Sequence, residues 1–461
     1  MDTSTTFFSR LFIFFSAYSL LTFFGNVTQL IRSFLPIHHL LRFIPSSTSS
    51  LVLESSSQEA NNNNNNGEHD DQDHEEESTR DTLPKDLIVN EILSRLPVKS
   101  LVRFQCVCKS WRSILTGNRR FIFNHLQRSH NKCVMVKHRR RSPPAVHAVT
   151  ILSRETNALV RTLPIPLEWR FKSMRVVGSC NGLACVTDQE YSPNPELPII
   201  LWNPALNKFR DLPRSLYGSI STTSVKPSHE TISRIVHGFG YHPAIDDYRL
   251  VRILHSYDEF DVFRIRAEMY SLRSDSWREV EPFGHRIYEA TCVASNGVLH
   301  WIVFGTGSSQ DNEFVLCFDL RYEEFWRLEL PDINFYRSGL CTKLAELDGQ
   351  LGLITYTHHG WDKVVQVWLF EYETFVWENL LSVGPFSGIE RPLGCGMYGQ
   401  IYMEDKTGML VLYDDNSDDE LRRFRLVHAD LNTFEVHLYV ESFVWEYSKQ
   451  DQVVEDETYD N

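Results

Sequence analysis

This chain of 461 residues contains many cysteine, histidine and acidic residues, but their spacing does not match that of a metal site or a catalytic site. The nine cysteines are irregularly spaced and form no paired Cys-x-x-Cys motifs, so neither a zinc site nor a disulfide framework is indicated. A reducing compartment is the simplest inference. His358 and His359 are adjacent, and in a strand their side chains would point to opposite faces, which does not suit a shared metal. The acidic run at 414–420 lacks the spacing, the glycine and the terminal glutamate of a calcium loop, so we interpret it as solvated.

Catalytic and phosphate-binding motifs are also absent from the sequence. It contains no HExxH, no GxSxG and no phosphate-binding glycine loop, so we predict a protein without a cofactor, a metal or an enzymatic activity of its own. The net charge of −14 argues against nucleic acid as the main partner, because phosphate binding needs clustered lysine and arginine. The one basic run, at 137–141, is short and typical of a solvated loop.

The stretch from Leu83 to Phe121 is dense in apolar residues, and Pro84, Pro97 and Gly117 divide it into three helix-sized pieces. Proline suits the first turn of a helix and cannot follow a helical residue easily, so the first helix is predicted from Pro84 to about Arg95. One arc of that helix is apolar and the opposite arc is polar, as in an amphipathic helix. Three such helices bury little apolar surface alone, which favours either packing on the rest of the chain or completion by a partner.

The residues of this stretch resemble the F-box over about 40 positions, in the run LPxDLIxxEILxRLPVKSLxRFxCVCKSWRSI. The resemblance implies three helices that dock on the Skp adaptor of a cullin–RING ubiquitin ligase. Carried over by position, it implies that the adaptor-binding set, part core and part interface, is Leu83, Pro84, Leu87, Ile88, Ile92, Leu93, Leu96, Pro97, Leu101, Val107, Cys108 and Trp111.

Leu87 is the first candidate for the interface itself. It lies on the polar arc of the predicted helix, next to Asp86 and close to Asn90 and Glu91. An apolar side chain among polar neighbours is not explained by the core of the helical unit. We therefore expect Leu87 to face the adaptor.

Residues 11–31, within the N-terminal segment 1–45, carry no charge and are rich in leucine, isoleucine and phenylalanine. As a helix they would be about 30 Å long, which is enough to cross a hydrocarbon core. Three interpretations are open: a cleaved secretory signal, a signal-anchor, or an extension of little function. The F-box resemblance excludes secretion, because the adaptor is cytosolic or nuclear. The expected location is the cytoplasm or the nucleus, and the alternative is a membrane-anchored chain whose domains face the cytosol.

A linker at 46–81 combines serine, a run of asparagine and many acids, and its low hydrophobicity predicts disorder. Residues 447–461 form an acidic tail that is predicted to fray. The F-box is predicted at 82–128 and a second, all-β domain at 132–446.

The second domain consists of short runs of β-branched and aromatic residues, broken by glycine, proline, asparagine and aspartate. Aromatic residues recur seven positions apart in four pairs: Trp202 and Phe209, Tyr270 and Trp277, Phe318 and Phe325, and Phe370 and Trp377. A spacing of seven also fits a helix, but the turn-forming residues inside each pair and the alternating flanks favour β-hairpins.

Three of these pairs follow a glycine turn, at Asn181-Gly182, Asn296-Gly297 and Asp348-Gly349. The repeat is about 50 residues long, a period typical of a propeller with several strands in each blade. An early blade is predicted at Cys133–Leu163, and the segment Phe434–Val444 is expected to close the ring or complete the last blade. We predict six blades, with five or seven as alternatives.

This half resembles the F-box-associated, kelch-related domain of plant F-box proteins, through GSCNGLACV, LWNPALNKFRDLP and HGFGYHPAIDDYRLVRI. The two resemblances together imply a substrate-recognition subunit of an SCF-type E3 ubiquitin ligase, whose propeller binds a client protein and whose adaptor brings the cullin and the RING subunit. Two alternatives remain at this point: an F-box scaffold that acts outside the ligase, and a propeller enzyme with carboxylates or metal ligands in its central channel.

Overall fold

The computed structural model describes the chain from residue 87, in ranges that are 87–128, 132–140, 146–165, 173–188, 197–219, 231–258, 260–287, 291–303, 313–331, 340–357, 362–397, 399–415, 421–424 and 430–445. The chain divides into two compact units, 1–89 and 90–461, and only residues 87–89 of the first are described. The predicted linker, the tail and the candidate span at 11–31 therefore lie outside the described residues.

The helical region contains more helices than the three predicted. A π-helical turn at Ile88–Ile92 leads into a 3-10 turn at Leu93–Arg95, followed by three α-helices: α1 (Val98–Phe104), α2 (Lys109–Gly117) and α3 (Arg119–Arg128). The described part of the predicted first helix is thus not a regular α-helix. Leu96 is extended, with ψ at 147°, because Pro97 follows it, and its N–H donates to Leu93 O at 3.1 Å, which tightens the last turn.

Helix α3 was not among the predicted helices. It begins after Asn118, whose Oδ1 accepts a hydrogen bond from Phe121 N at 2.9 Å. An asparagine at this position satisfies an N–H that has no partner inside the helix.

Within the described residues twenty-four strands follow, all of them antiparallel to their neighbours. They are β1 (Lys132–Arg140), β2 (Val146–Ser153), β3 (Leu159–Pro164), β4 (Met174–Cys180), β5 (Leu183–Asp188), β6 (Ile199–Asn203), β7 (Lys208–Asp211), β8 (Thr231–His242), β9 (Asp247–Tyr257), β10 (Phe263–Ser271), β11 (Ser276–Val280), β12 (Cys292–Ser295), β13 (Val298–Val303), β14 (Phe314–Asp319), β15 (Phe325–Glu329), β16 (Leu340–Leu347), β17 (Gln350–Thr357), β18 (Asp362–Glu371), β19 (Val376–Ser387), β20 (Ile389–Cys395), β21 (Gln400–Asp405), β22 (Leu410–Asp414), β23 (Leu421–Phe424) and β24 (Glu435–Val440). A 3-10 turn, Leu216–Ser219, lies between β7 and β8.

These strands form six four-stranded sheets, which are the six predicted blades. Five blades consist of four consecutive strands. The first blade has the order β24-β1-β2-β3, so the last strand of the chain is the inner strand of the first blade. The predicted closure of the ring by the segment that begins at Phe434 is therefore confirmed.

The aromatic pairs spaced by seven are cross-strand neighbours in the outer hairpins of four blades. Trp202 is directly opposite Phe209, and the other three pairs are in the same register. In three of the pairs the ring centroids are 5.4, 4.5 and 5.1 Å apart. Aromatic pairs of this kind stabilise a sheet by more than their buried area alone. The spacing of seven residues therefore reflects a hairpin and not a helix.

The predicted glycine turns connect the first and second strands of their blades. Asn181 and Gly182 have φ values of 51° and 87°, and the pairs at 296–297 and 348–349 are also positive at both positions. Two positive values in succession are required by a two-residue hairpin turn whose twist matches the strands. Asparagine and aspartate tolerate the first position, and glycine takes the second without strain.

The core lies between neighbouring blades. Trp301, Phe318 and Leu299 of the fourth blade pack with Val251 and Met269 of the third. The Trp202 and Trp301 side chains are completely buried and belong to this core.

Gly238 of the HGFG run is a position where the packing leaves no room for a side chain. A Cβ added there would collide with the Trp301 ring and lie 2.8 Å from Cys292 Sγ. We expect Gly238→Ala to lower the free energy of unfolding by about 1–3 kcal/mol, because an overpacked core must shift to accept the methyl group. Urea denaturation measures the change. Gly284→Ala is the matched control, since a Cβ at Gly284 meets no atom within 4 Å. Equal losses in the two variants would contradict the packing argument.

Several histidines are buried in the neutral form, and His300 is the most enclosed. Its Nδ1 lies 3.1 Å from Val293 O and its Nε2 lies 3.1 Å from Tyr372 Oη, so a neutral ring that donates at Nδ1 and accepts at Nε2 satisfies both partners. Burial lowers the pKa of His300 to about 4, although the Val293 carbonyl opposes the shift. Burial also lowers the pKa of His147 and of His255 to about 4.

These depressed pKa values predict that the propeller loses stability in mild acid. The unfolded chain takes up protons as the pH falls below about 6.5, whereas folded His300 does not until about 4. His300 therefore contributes its full stabilisation of the fold above about pH 6.5. That contribution, at most about 3 kcal/mol of unfolding free energy, is lost as the pH falls from about 6.5 to about 4. Urea midpoints at pH 7.5 and pH 5 measure the loss. His300→Gln should make the dependence shallower, and an unchanged slope would contradict the assignment.

Candidate functional site

The interior of the helical region is formed by apolar residues of the 3-10 turn, α1 and α2. Leu93, Val98, Leu101 and Leu115 are all buried. His125 joins α3 to the turns before α1, because its Nε2 lies 2.9 Å from Leu96 O. The first helix is broken at Leu96, so this carbonyl has no partner within a helix. The first elements are thus held together by contacts that do not involve a second protein.

The residues predicted to bind the adaptor fall into groups by exposure. Leu83 and Pro84 lie outside the described residues. Among the others, three are exposed: Leu87, Pro97 and Val107. Five are half-buried: Ile88, Ile92, Leu96, Cys108 and Trp111. Two are fully buried: Leu93 and Leu101. In this conformation the last two belong to the interior, and the exposed and half-buried residues are the ones that a partner could reach.

Leu87 and Val107 are large apolar side chains of the predicted set that are exposed. Leu87 exposes 43% of its surface and Val107 exposes 40%. Single exposed apolar residues are common, and Phe123 of α3 is a third in this region, so exposure identifies Leu87 and Val107 only as side chains that a partner could reach.

The Cys-Val-Cys-Lys-Ser-Trp run gives the surface around Val107 a fixed shape. Cys108 caps α2, since its Sγ accepts a hydrogen bond from Trp111 N at 3.4 Å. The Trp111 ring packs edge-to-face on Phe104 of α1, with the centroids 5.3 Å apart. Cys108 and Trp111 therefore position the bend between α1 and α2 in which Val107 lies.

Helix α3 joins the helical region to the propeller. Arg119 forms an ion pair with Asp246 in the turn between β8 and β9, at 3.0 Å. The His125 ring packs edge-to-face on Phe443, which follows β24, with the centroids 5.6 Å apart. Burial lowers the pKa of His125, although its hydrogen bond to Leu96 opposes the shift, so the neutral ring is favoured at this contact. Phe121 is also buried, and the helices from α1 onwards form one packed body with the propeller.

These contacts define two ends of the propeller. Each blade has four antiparallel strands, an even number, so the chain leaves a blade at the end where it entered. Every inner strand therefore begins at the same end of the propeller and finishes at the other. Asp246 and Phe443 both follow the finish of an inner strand, so α3 lies at that end, which we call the helix end. The end at which the inner strands begin, called the far end here, faces away from α3.

A cavity of about 380 Å³ occupies the centre of the ring and is lined by all six inner strands. Its lining includes four cations, Arg175, Arg234, Lys343 and Arg391, and two carboxylates, Glu346 and Glu435. The volume lies within the range of small-molecule sites, about 300–1,000 Å³.

The carboxylates of this channel are held apart and in different states. Glu435 Oε1 accepts from Lys137 Nζ at 3.0 Å and Oε2 accepts from Val176 N at 2.9 Å. Burial opposes its ionisation, but the Lys137, His437 and Arg175 side chains hold the pKa of Glu435 well below its usual range. Burial raises the pKa of Glu346 to about 7, against the opposing effect of Arg154. Glu435 begins its strand and Glu346 is near the finish of its own, so the two do not form a convergent catalytic pair.

Neither α3 nor the channel cations were predicted as functional residues. For α3 a local signal exists, because Asn118 after Gly117 is a helix-capping residue. For the cations the only signal is their position in inner strands, which cannot be recognised until the strands are assigned to blades.

Two further observations concern membranes and metals. Among the helices of the described residues, none has the length and apolar composition needed to cross a bilayer. Within the same residues, no group of three histidine, cysteine, aspartate or glutamate side chains is arranged to hold a metal ion.

Comparison with known proteins accounts for both parts of the chain. The F-box domain family model matches residues 81–123, and the model of the F-box associated beta propeller domain matches residues 133–388. An F-box/kelch-repeat protein of Arabidopsis thaliana is 26% identical over 361 residues, which cover 73% of this chain and 90% of that protein. An F-box protein of the same plant is 24% identical over 413 residues, which cover 79% and 92% of the two chains.

The propeller match alone spans more than half of the chain, and it covers the strands from β1 to β19. The two resemblances that the sequence motifs predicted are confirmed. The chain is a member of the F-box associated beta propeller family, with an F-box domain ahead of its propeller.

Proposed function

We propose that this chain is the substrate-recognition subunit of an SCF-type E3 ubiquitin ligase. Its F-box binds a Skp-family adaptor, which brings the cullin and the RING subunit, and its propeller binds a client protein. The chain supplies no chemistry. It raises the effective concentration of a client lysine near a charged conjugating enzyme, and such proximity accelerates a reaction between two bound partners.

One observation carries the adaptor part of this proposal. The helices keep Leu93 and Leu101 in their own interior, yet Leu87 and Val107 are exposed and Trp111 is only half-buried. A helical region that has completed its interior and still exposes apolar side chains is suited to a partner that covers them.

The attachment of α3 to the propeller supports the client part. Because α3 packs at the helix end through Arg119 and His125, an adaptor bound to the F-box would leave the far end accessible to a client. The loop between β9 and β10 presents Phe260 and Val262 there, both exposed. Asp258 fixes that loop, since its Oδ1 accepts from Phe260 N at 2.9 Å and from Val262 N at 3.0 Å.

Co-purification tests the proposal. The full-length chain, expressed with an affinity tag in plant cells, is expected to capture a Skp-family adaptor and a cullin. Clients should accumulate when the gene is disrupted. Capture of the adaptor without client accumulation would favour the scaffold alternative, and failure to capture any adaptor would overturn the proposal.

A further inference from the structure

The cations of the central cavity come from four different blades. Arg175 is on β4, Arg234 on β8, Lys343 on β16 and Arg391 on β20, and all of them line the same space. Side chains so far apart in sequence converge only because each belongs to an inner strand. A protein with a net charge of −14 thus places a group of positive charges at the centre of its ring.

These cations concentrate towards the far end of the channel. Arg175 is the second residue of β4, Arg391 is the third residue of β20, and Arg234 is the fourth residue of a twelve-residue strand. Lys343 is near the middle of β16, and the acidic Glu346 is near its finish, at the helix end. The far end is therefore the more positive of the two.

The carboxylates near this end are already engaged. Glu435 is bound by Lys137, and Glu404, which lies behind the lining, is 2.9 Å from Arg391. Among the residues that line the cavity, the four cations outnumber the two carboxylates, Glu346 and Glu435. Neutral hydrogen-bonding groups lie among the cations, since Arg175 Nη2 donates to Thr291 Oγ1 at 3.2 Å and Asn432 also lines the cavity.

We propose that the far end of the channel binds an oxyanion, a phosphate or carboxylate group. Cations around a partly enclosed cavity interact with an anion more strongly than surface cations do, because water screens them less. The planar Arg175 guanidinium can present two N–H groups to the oxygens of such an anion. Arg391 donates through Nε to Glu404 and through Nη2 to Phe434 O, so its Nη1 hydrogens are the ones it offers to the anion. The group can belong to a small free molecule or to a side chain of the client. The second source rests on the proposed function, whereas binding of a free anion does not.

Sulfate is the probe, because it carries two negative charges at neutral pH and does not titrate there. Isothermal titration of the full-length chain should show saturable binding that Arg175→Gln and Lys343→Gln each weaken by about 10-fold or more, as expected when a charge-assisted hydrogen bond is removed. Arg264→Gln is the matched control, since Arg264 is an exposed arginine near the far end that pairs with Asp258 outside the cavity. Thermal melts identify a variant that fails to fold, in which case the other channel variant carries the test.

A second arm separates the two sources. A glycine–serine peptide that carries one phosphoserine is titrated beside sulfate. Tighter binding of the peptide assigns the site to a client side chain, and equal or weaker binding assigns it to a free anion. The site is overturned if neither probe binds saturably, or if the channel variants bind both as the unaltered chain does. Adaptor co-purification with the same variants should be unchanged, so failure of this inference is distinguishable from failure of the proposed function.

Discussion

A chain that ends at Leu431 is expected to lose the folded propeller. It lacks β24, which pairs with β1 from Lys132 to Lys137 and is the inner strand of the first blade. The truncation also removes Phe434, Tyr439 and Phe443, all buried. Each such side chain contributes about 1.5–3 kcal/mol by burial, so their sum approaches the whole stability of an ordinary domain, about 5–15 kcal/mol. The thermal unfolding transition should disappear, and the shortened chain should aggregate through the exposed edge of β1.

A second truncation provides the control. A chain that ends at Trp445 keeps β24 and also keeps the segment that Asn203 anchors, whose Nδ2 donates to Ser442 O at 3.1 Å and to Val444 O at 2.7 Å. We expect this chain to melt within a few degrees of the full-length protein, because it loses only residues beyond the described part of the ring. If the chain ending at Leu431 melted as cooperatively as this control, the closure of the six-bladed ring by β24 would be wrong.

Four of the six blades were predictable because they repeat a local signal. An aromatic pair across a hairpin and a glycine turn ahead of it both depend on residues that are close in sequence. The structure has the pairs directly opposite each other and the turns with positive φ values. Closure by the last strand was predictable for a different reason. Phe434–Val444 was the remaining apolar segment, expected either to close the ring or to complete the last blade, and the structure shows the first of these.

The helical region shows where the pattern was insufficient. The same apolar periodicity contains Leu93, which is buried, and Ile92, which is half-buried, so periodicity alone does not divide core from surface. The break at Leu96 depends on Pro97 and was foreseen, but the π-helical and 3-10 turns before it were not. These turns depend on tertiary contacts such as the one between His125 and Leu96, residues that lie 29 positions apart.

The channel could not be predicted at all. Arg175 and Arg391 are separated by more than two hundred residues, and nothing near either one distinguishes it from a surface arginine. Their convergence follows from blade order and from the position of each residue within its strand. A site of this kind becomes visible only when the ring is assembled.

Replacing Leu87 by aspartate is the change with the largest expected effect on partner binding. Leu87 is 43% exposed, so the substitution should leave the fold and the solubility of the chain unchanged. In a complex, the aspartate would bring an unpaired charge into an apolar interface, and disrupting the centre of such an interface costs about 2 kcal/mol or more of binding free energy. We therefore expect adaptor affinity to fall at least about 30-fold, measured by titration of the purified adaptor.

Phe123→Asp is the matched control for that measurement. Phe123 is an apolar residue of α3 with 53% of its surface exposed, and it is not in the predicted adaptor set. An equal loss of affinity in both variants would mean that added charge, and not the position of Leu87, weakens binding. Undiminished binding by Leu87→Asp would mean that the adaptor covers another surface. A loss of affinity confined to Leu87→Asp would assign the exposed apolar side chains of the first turns to the adaptor, and would leave the far end of the propeller for the client.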